Sequence, residues 1–335
     1  MGKLRILYAG SPLASAIVLG NLIEDSKVGG YEIVGVLTNP PSAKGRHSAL
    51  VPTEVAEVAA GNGIEVLSFD HLKAEARDAV APLKADLMVC FDYGKIFGPK
   101  FLSLFPLGGI NLHPSALPKY RGCTPVPAAI LNGDDKLGVS VQTLALETDE
   151  GDILAYGEIP LDGTETTLSL MDGDGKESKV TSLGTKLLLS VIRSIADGFS
   201  KTGELSLPAS KKQTGEPSYT PFIKKEDGII DWKKSAVEID RMVRAYTPWP
   251  LASTGCGGVK LLILKSKVSE NSTRDMKDVV IPGTVLPYRK SVGIEIACGD
   301  GSILVATELQ WEKKKAMDYK SFMNGARNFV GSVLD

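Results

Sequence analysis

The first half of the chain alternates between short solid apolar runs and stripes of helical spacing. Residues 4–9 form one such run, which stops at Gly10-Ser11-Pro12 and gives way to helix-spaced apolar positions through Ile23. A second run at 31–37 leads into a Pro/Gly-rich loop at 39–52. Helical patterns near 53–61 and 72–84 bracket a strand at 64–69. Residues 85–91 are nearly all apolar, and 109–112 form another run. Strands that read as solid apolar runs are buried on both faces, which is the habit of parallel sheets. Interleaved with helices, they predict a Rossmann-like doubly wound α/β domain.

The pattern then changes. A long helical stripe spans about 178–196, followed at 198–217 by a stretch rich in Gly, Ser, Thr, Lys and Pro, which reads as a linker. A short helix is expected at 236–245. Beyond it come short strand candidates at 260–264, 283–286, 293–297 and 303–309, separated by turn residues. Short strands with such turns predict a small β-barrel, an OB-like barrel being one form of it. The expected organisation is a domain over 1–200, a linker over 201–217 and a second domain over 218–335, in keeping with a length of 335 residues.

Composition is that of an ordinary globular protein, with 23% charged residues and a formal net charge of −2. The sum conceals an asymmetry: residues 1–200 hold 17 basic and 24 acidic side chains, and residues 201–335 hold 21 and 16. A basic back half makes an anionic partner worth testing there. Four scattered cysteines with no C-x-x-C spacing, and only three histidines, offer no zinc cluster and no disulfide framework, so no metal is expected. No apolar run is long enough to span a bilayer and the N-terminal stretch lacks an h-region, so no membrane association and a cytoplasmic location are expected.

The chemistry concentrates at 111–122, N-L-H-P-S-A-L-P-K-Y-R-G. Residues i and i+2 of a strand share a face, so Asn111 and His113 would project together at the carboxyl end of a strand, where α/β proteins bind ligands. Asp149 follows 36 residues after His113. An amide donor, an imidazole and a carboxylate could polarise a carbonyl and move a proton, although spacing alone does not bring Asp149 to the other two. The first turn lacks G-x-G-x-x-G and no G-x-x-x-x-G-K-[ST] occurs, which argues against an NAD enzyme and a P-loop. Trp232 and Trp249 read as core aromatics.

Residues 108–133, which contain that segment, resemble the signature of the 10-formyltetrahydrofolate-dependent formyltransferases. The resemblance extends along nearly the whole chain: Y-A-G-S-P at 8–12, D-Y-G-K-I at 92–96, I-D-W at 230–232, R-A-Y-T-P-W-P at 244–250, P-G-T-V at 282–285 and K-K-A-M at 314–317. The back-half motifs are similar to those of the branch that acts on initiator methionyl-tRNA. The resemblance implies Asn111, His113 and Asp149 as the catalytic trio and 10-formyltetrahydrofolate as formyl donor. It also implies a folate site lined by Tyr93, Gly94, Ile96, Ser115, Ala116, Leu117 and Pro118. Lys44, Arg46 and His47 in the 39–52 loop, and Lys313, Lys314 and Lys315, would face the tRNA. Ala116 stands where the family commonly has Leu, and A-L-E-T-D-E-G-D at 145–152 departs from the usual D-x-G-x-D-x-G-D. The rival readings are a formyltransferase acting on a sugar-nucleotide amine or glycinamide ribonucleotide, and a non-catalytic RNA-binding protein.

Overall fold

Strand β1 (Leu4–Ala9) lies in the middle of the main sheet, and its side chains show why the run is solidly apolar. Leu7 and Ala9 pack on one side with Ala76, Val80 and Phe101. Tyr8 points to the other side, where its hydroxyl meets Ser15 of the helix Leu13–Ser26. Both faces are therefore covered. The structure is a computed structural model describing residues 2–44, 49–175, 177–273, 280–326 and 328–335.

Contacts divide these residues into two units. The first comprises 1–125, 136–160 and 169–221, and the second 126–135, 161–168 and 222–335. In chain order the first unit contains β1, β2 (Tyr31–Thr38), β3 (Ser42–Lys44), β4 (Ala49–Val51), β5 (Val66–Ser68), β6 (Leu87–Cys90), β7 (Gly109–His113), β8 (Arg121–Gly122), β9 (Lys136–Thr143), β10 (Ile153–Pro160) and β11 (Tyr219–Thr220). The main sheet runs β10-β9-β7-β6-β1-β2-β5. Its β7-β6-β1-β2-β5 part is parallel throughout. At the β7 edge, β9 and β10 add antiparallel, so the sheet is mixed but dominated by parallel pairing.

Two sequence features set the covering layers. The helix Lys179–Thr202 starts at a Ser178–Thr181 capping box, ends at left-handed Gly203, and packs on β9 and β10. Its Gly184 leaves room for Leu112 of β7: a Cβ there would lie 2.6 Å from Leu112 Cδ2. On the other face the aromatic ladder Tyr93, Phe97, Phe101 and Phe105 packs with Met88 and Cys90 of β6.

The second unit is built on an antiparallel sheet ordered β12 (Ala252–Cys256), β13 (Val259–Val268), β15 (Ile303–Trp311) and β14 (Ile294–Ala297), with β16 (Met317–Asp318) also pairing β15. Residues 283–286, expected as a strand, make only isolated bridges, Val285 to Ile296 and Thr284 to Val333. Backbone bonds then join Asp335 to Gly255 of β12 in both directions, 2.8 and 3.1 Å. The helix Ala236–Ala245 opens on a Ser235–Glu238 capping box and buries Ile239, Met242 and Val243 with Ile263, Leu304 and Phe322. Among the described residues no helix is long and apolar enough to cross a membrane.

Candidate active site

The carboxyl ends of β1, β6 and β7 lie side by side, and the residues that follow them carry the polar side chains. In β7 the pleat turns Leu112 toward Gly184 and sends Asn111 and His113 to the opposite face. The same face of β9 presents Gln142 opposite Asn111 and Ser140 opposite His113.

His113 is buried, and its Nε2 lies 2.9 Å from the carbonyl oxygen of Tyr120. A carbonyl only accepts, so Nε2 carries the hydrogen and Nδ1 is the nitrogen left for proton exchange. Nδ1 is 3.7 Å from Asp149 Oδ2. Asp149 sits in the loop joining β9 to β10 at a φ of +56°. Its Oδ1 accepts from Gln142 Nε2 at 2.7 Å and, at the long limit of 3.5 Å, from Asn111 Nδ2. Its Oδ2 accepts from the backbone N–H of Gly122 at 2.8 Å. The carboxylate thus meets both Asn111 and His113, a convergence that sequence spacing left open. Gly122 has a φ of +105°, and a Cβ there would lie 2.5 Å from the Thr220 carbonyl, so glycine alone suits that donor.

The 115–118 segment folds back from the end of β7. Ser115 donates its N–H to the His113 carbonyl at 2.8 Å, and its own carbonyl accepts from Ser140 Oγ at 2.7 Å. The Ala116 backbone rests on Gly138 of β9, where a Cβ would approach Ala116 N to 2.3 Å. Leu117 is half-buried and Pro118 buried. Beyond β6, Tyr93 is buried and stacks on Phe97, whereas Gly94 is exposed and Ile96 is 82% exposed. Among the described residues, Ser115 Oγ and Tyr93 Oη are the buried side-chain oxygens with no hydrogen-bond partner. Such groups cost about 1–3 kcal/mol each if left unmet, so a polar ligand edge or a water reaching either one would stabilise it.

Three residues that the sequence did not single out belong to this arrangement: Gln142 and Gly122, which hold the Asp149 carboxylate, and Gln213, which holds its backbone carbonyl. Alternation could have drawn attention to Gln142, a polar residue between buried Val141 and Thr143 on a strand. Nothing local marks Gln213. Lys313, Lys314 and Lys315 are exposed at the turn after β15. Arg46, His47 and the Lys44 side chain lie outside the described residues. Trp232 is buried, its Nε1 donating to Thr254 Oγ1 at 2.9 Å. Trp249 differs from its expected place in the core and is 57% exposed. Among the described residues no three His, Cys, Asp or Glu side chains are grouped to hold a metal ion.

Asp92, next to Tyr93, has its carboxyl pushed up to about 6, first by the crowding of surrounding protein and then by Asp172. Its φ of +52° is one that Asn also accepts readily. A carboxyl whose folded pKa lies above its unfolded value opposes folding once ionised. The penalty is absent below the unfolded value near 3.8, grows between there and 6, and is complete above. Asp92→Asn should therefore raise the melting temperature at pH 7 and leave it unchanged at pH 3.5. Because the residue as a whole reaches solvent, the gain should be modest, about 1–3 °C. Thermal unfolding followed at the two pH values would contradict this if the shift were equal at both.

Comparison with known proteins identifies the family of the chain. The family described as formyl transferase matches residues 4–189, and the formyl transferase C-terminal domain matches 222–327. The methionyl-tRNA formyltransferase of Treponema denticola is 38% identical over 98% of both chains. That of Borreliella burgdorferi is 36% identical over 91% of this chain and 92% of its own. Among solved structures, HypX from Aquifex aeolicus in complex with tetrahydrofolic acid shares the fold at 18% identity, with a TM-score of 0.57 over 97% of this chain and 48% of its own. WlaRD, a sugar 3N-formyl transferase, does so at 19% identity and a TM-score of 0.57, over 94% of this chain and all of its own. With both domain matches and full-length relatives in agreement, the chain belongs to the formyl transferase family.

Proposed function

We propose that the protein transfers a formyl group from 10-formyltetrahydrofolate to the α-amine of initiator methionyl-tRNA, in the cytoplasm, in support of translation initiation. The observation that carries the reading is the meeting of Asn111, His113 and Asp149 on one carboxylate at the end of β7. Near-full-length relatives named for this activity support the acceptor.

The roles follow from the residue types. Attack of the amine on the formyl carbon makes a tetrahedral centre and an oxyanion; its collapse breaks the bond from that carbon to N10, and tetrahydrofolate leaves with a proton on N10. Asn111 is bonded to Asp149 only at 3.5 Å, so its amide gives up little to donate to that oxygen instead. A preorganised donor of this kind contributes about 3–4 kcal/mol to the transition state. His113 exchanges a proton through Nδ1 while Nε2–H stays on the Tyr120 carbonyl, which fixes the ring plane. Asp149 orients the imidazole and helps take the proton from the attacking amine. Ser115, Ala116, Leu117, Pro118, Tyr93, Gly94 and Ile96 are proposed to border the folate. The two unpartnered hydroxyls supply polar sites and Ile96 supplies an apolar edge suited to a flat ring.

In the second unit, the bridges from β14 through 284–285 and 333–335 back to β12 support the finer reading as an OB-like barrel. We assign tRNA contact to its exposed Lys313, Lys314 and Lys315, and to Lys44, Arg46 and His47 of the 39–52 loop; residues 201–217 join a catalytic domain to this tRNA-binding domain. Replacing Lys313, Lys314 and Lys315 together by Ala should raise KM for the tRNA about 3- to 10-fold at 150 mM salt and flatten its salt dependence, with KM for folate unchanged. An unaltered salt slope would remove these residues from the interface.

The direct test is to incubate the protein with 10-formyltetrahydrofolate and charged initiator tRNA and assay for formyl-methionine. Glycinamide ribonucleotide and an amino-sugar nucleotide serve as competing acceptors. Formylation of either of these in preference to the tRNA would replace the proposed acceptor, and no turnover with any acceptor would leave the non-catalytic reading.

A further inference from the structure

We infer that Gln213, in a stretch that reads as a linker, is a positioning residue for Asp149; the inference rests on the catalytic reading above. The stretch does not hang free near the site. Lys211 and Ile153 exchange both backbone hydrogen bonds, 2.7 and 2.8 Å, so the chain is laid against the start of β10. Eight residues on, β11 pairing with β8 anchors the other side.

Between these anchors the Gln213 side chain reaches the loop that carries Asp149. Its Nε2 donates to the Asp149 carbonyl at 2.7 Å and to the Gly151 carbonyl at 2.8 Å, and lies 3.3 Å from Gln142 Oε1. Its Oε1 accepts a fork of two bonds from Arg121, from Nε at 3.1 Å and Nη2 at 2.8 Å. Arg121 is buried, and its Nη1 bonds Glu150 and the Tyr219 hydroxyl. One amide therefore ties the backbone on both sides of Glu150 to a fixed guanidinium.

The loop needs such a tie. Asp149 holds a left-handed conformation that costs a side-chain-bearing residue about 1–2 kcal/mol and persists only where its surroundings impose it. Gly151 is pressed onto β9, where a Cβ would lie 1.6 Å from the Thr143 carbonyl. The distances that matter to chemistry, 3.5 Å to Asn111 and 3.7 Å to His113, are already at the edge of contact. A relaxation of the loop by a fraction of an ångström would uncouple the carboxylate from both. Gln213 itself touches no reacting group, so its effect must pass through Asp149.

The test compares Gln213→Ala and Gln213→Glu with wild type, measuring kcat, KM for folate and for tRNA, the pH profile and the melting temperature. Glu keeps an acceptor for Arg121 but sets a carboxylate against the Asp149 and Gly151 carbonyls. Both variants should lose about 10- to 100-fold in kcat, as misplacement of a reacting group does, with both KM values within twofold. Melting temperatures should stay within about 2 °C. Lowering the pH should raise the ratio of Gln213→Glu to wild type, because the protonated carboxyl can again donate, whereas the Gln213→Ala ratio should not move. Wild-type kcat in Gln213→Ala, a loss confined to KM, or a loss matched by melting would overturn the inference. Absence of turnover in wild type would instead overturn the catalytic reading itself.

Discussion

Replacing His113 by Ala is expected to lower kcat for formyl transfer by about 10³-fold, and replacing Asn111 by Ala by about 10²- to 10³-fold, with KM for either substrate changed little. The two losses have different origins. Asn111 contributes a donor that matters only once the formyl oxygen becomes an oxyanion, so its removal falls on the transition state and spares ground-state binding. His113 contributes a proton at Nδ1 as well as a charge. It also has a structural duty, since Nε2–H satisfies the buried Tyr120 carbonyl. His113→Ala should therefore cost about 1–3 kcal/mol of stability in addition, read as a lower melting temperature, while Asn111→Ala should melt as wild type does. The double variant should be little worse than His113→Ala alone, because residues acting as one unit are not additive. Stopped-flow or quench measurement of formyl-methionyl-tRNA at saturating substrates gives kcat directly. Retention of more than a third of wild-type kcat in either folded variant would remove that residue from the mechanism.

How far the sequence carried can be traced strand by strand. The runs at 4–9, 31–37, 85–91 and 109–112 were legible because strands covered on both faces need apolar residues at every position, and that leaves an unbroken signal. Strand β9 was not. Its Leu137, Val139 and Val141 are buried, but the alternate positions are Gly138, Ser140 and Gln142. Those three positions serve the site: Gly138 admits the Ala116 backbone, Ser140 bonds the Ser115 carbonyl and Gln142 holds Asp149. The functional face replaced the solid apolar run with an alternation of apolar and small or polar residues, a strand signal too, but a weaker one over so short a stretch. In β7 the motif around Asn111 and His113 was legible for the opposite reason, because two unusual side chains share one face of a short strand. Gln213 could not be read at all, since it meets Asp149 across 64 residues through an amide that any linker can contain. Trp249 shows the same limit from the other side: its ring argues for burial, yet the tertiary context exposes it.

Asp149→Asn is the sharpest single test of the site, and it is expected to lower kcat by about 10³-fold or more while leaving the fold intact. The fold should hold because Asn is the residue best able to replace Asp in a left-handed conformation, and its volume is the same. The chemistry should fail because three N–H groups already aim at this carboxylate. Gly122 N–H and Gln142 Nε2 press on Oδ2 and Oδ1 at 2.8 and 2.7 Å, and Asn111 Nδ2 faces Oδ1. An amide can present only one acceptor atom, so whichever way it turns, an NH₂ opposes an N–H. If the NH₂ faces Gly122, it also faces His113 Nδ1 and removes the negative charge that steadies a protonated imidazole. If it faces Gln142, that amide must flip to accept, which sets its own NH₂ against Gln213 Nε2. Either orientation leaves the proton of the attacking amine without its acceptor. Asp149→Glu, which keeps the charge but moves it by one methylene, should recover part of the loss only if charge matters more than placement. Single-turnover rates for the three proteins separate these terms, and an Asp149→Asn rate within threefold of wild type would remove the carboxylate from the reaction.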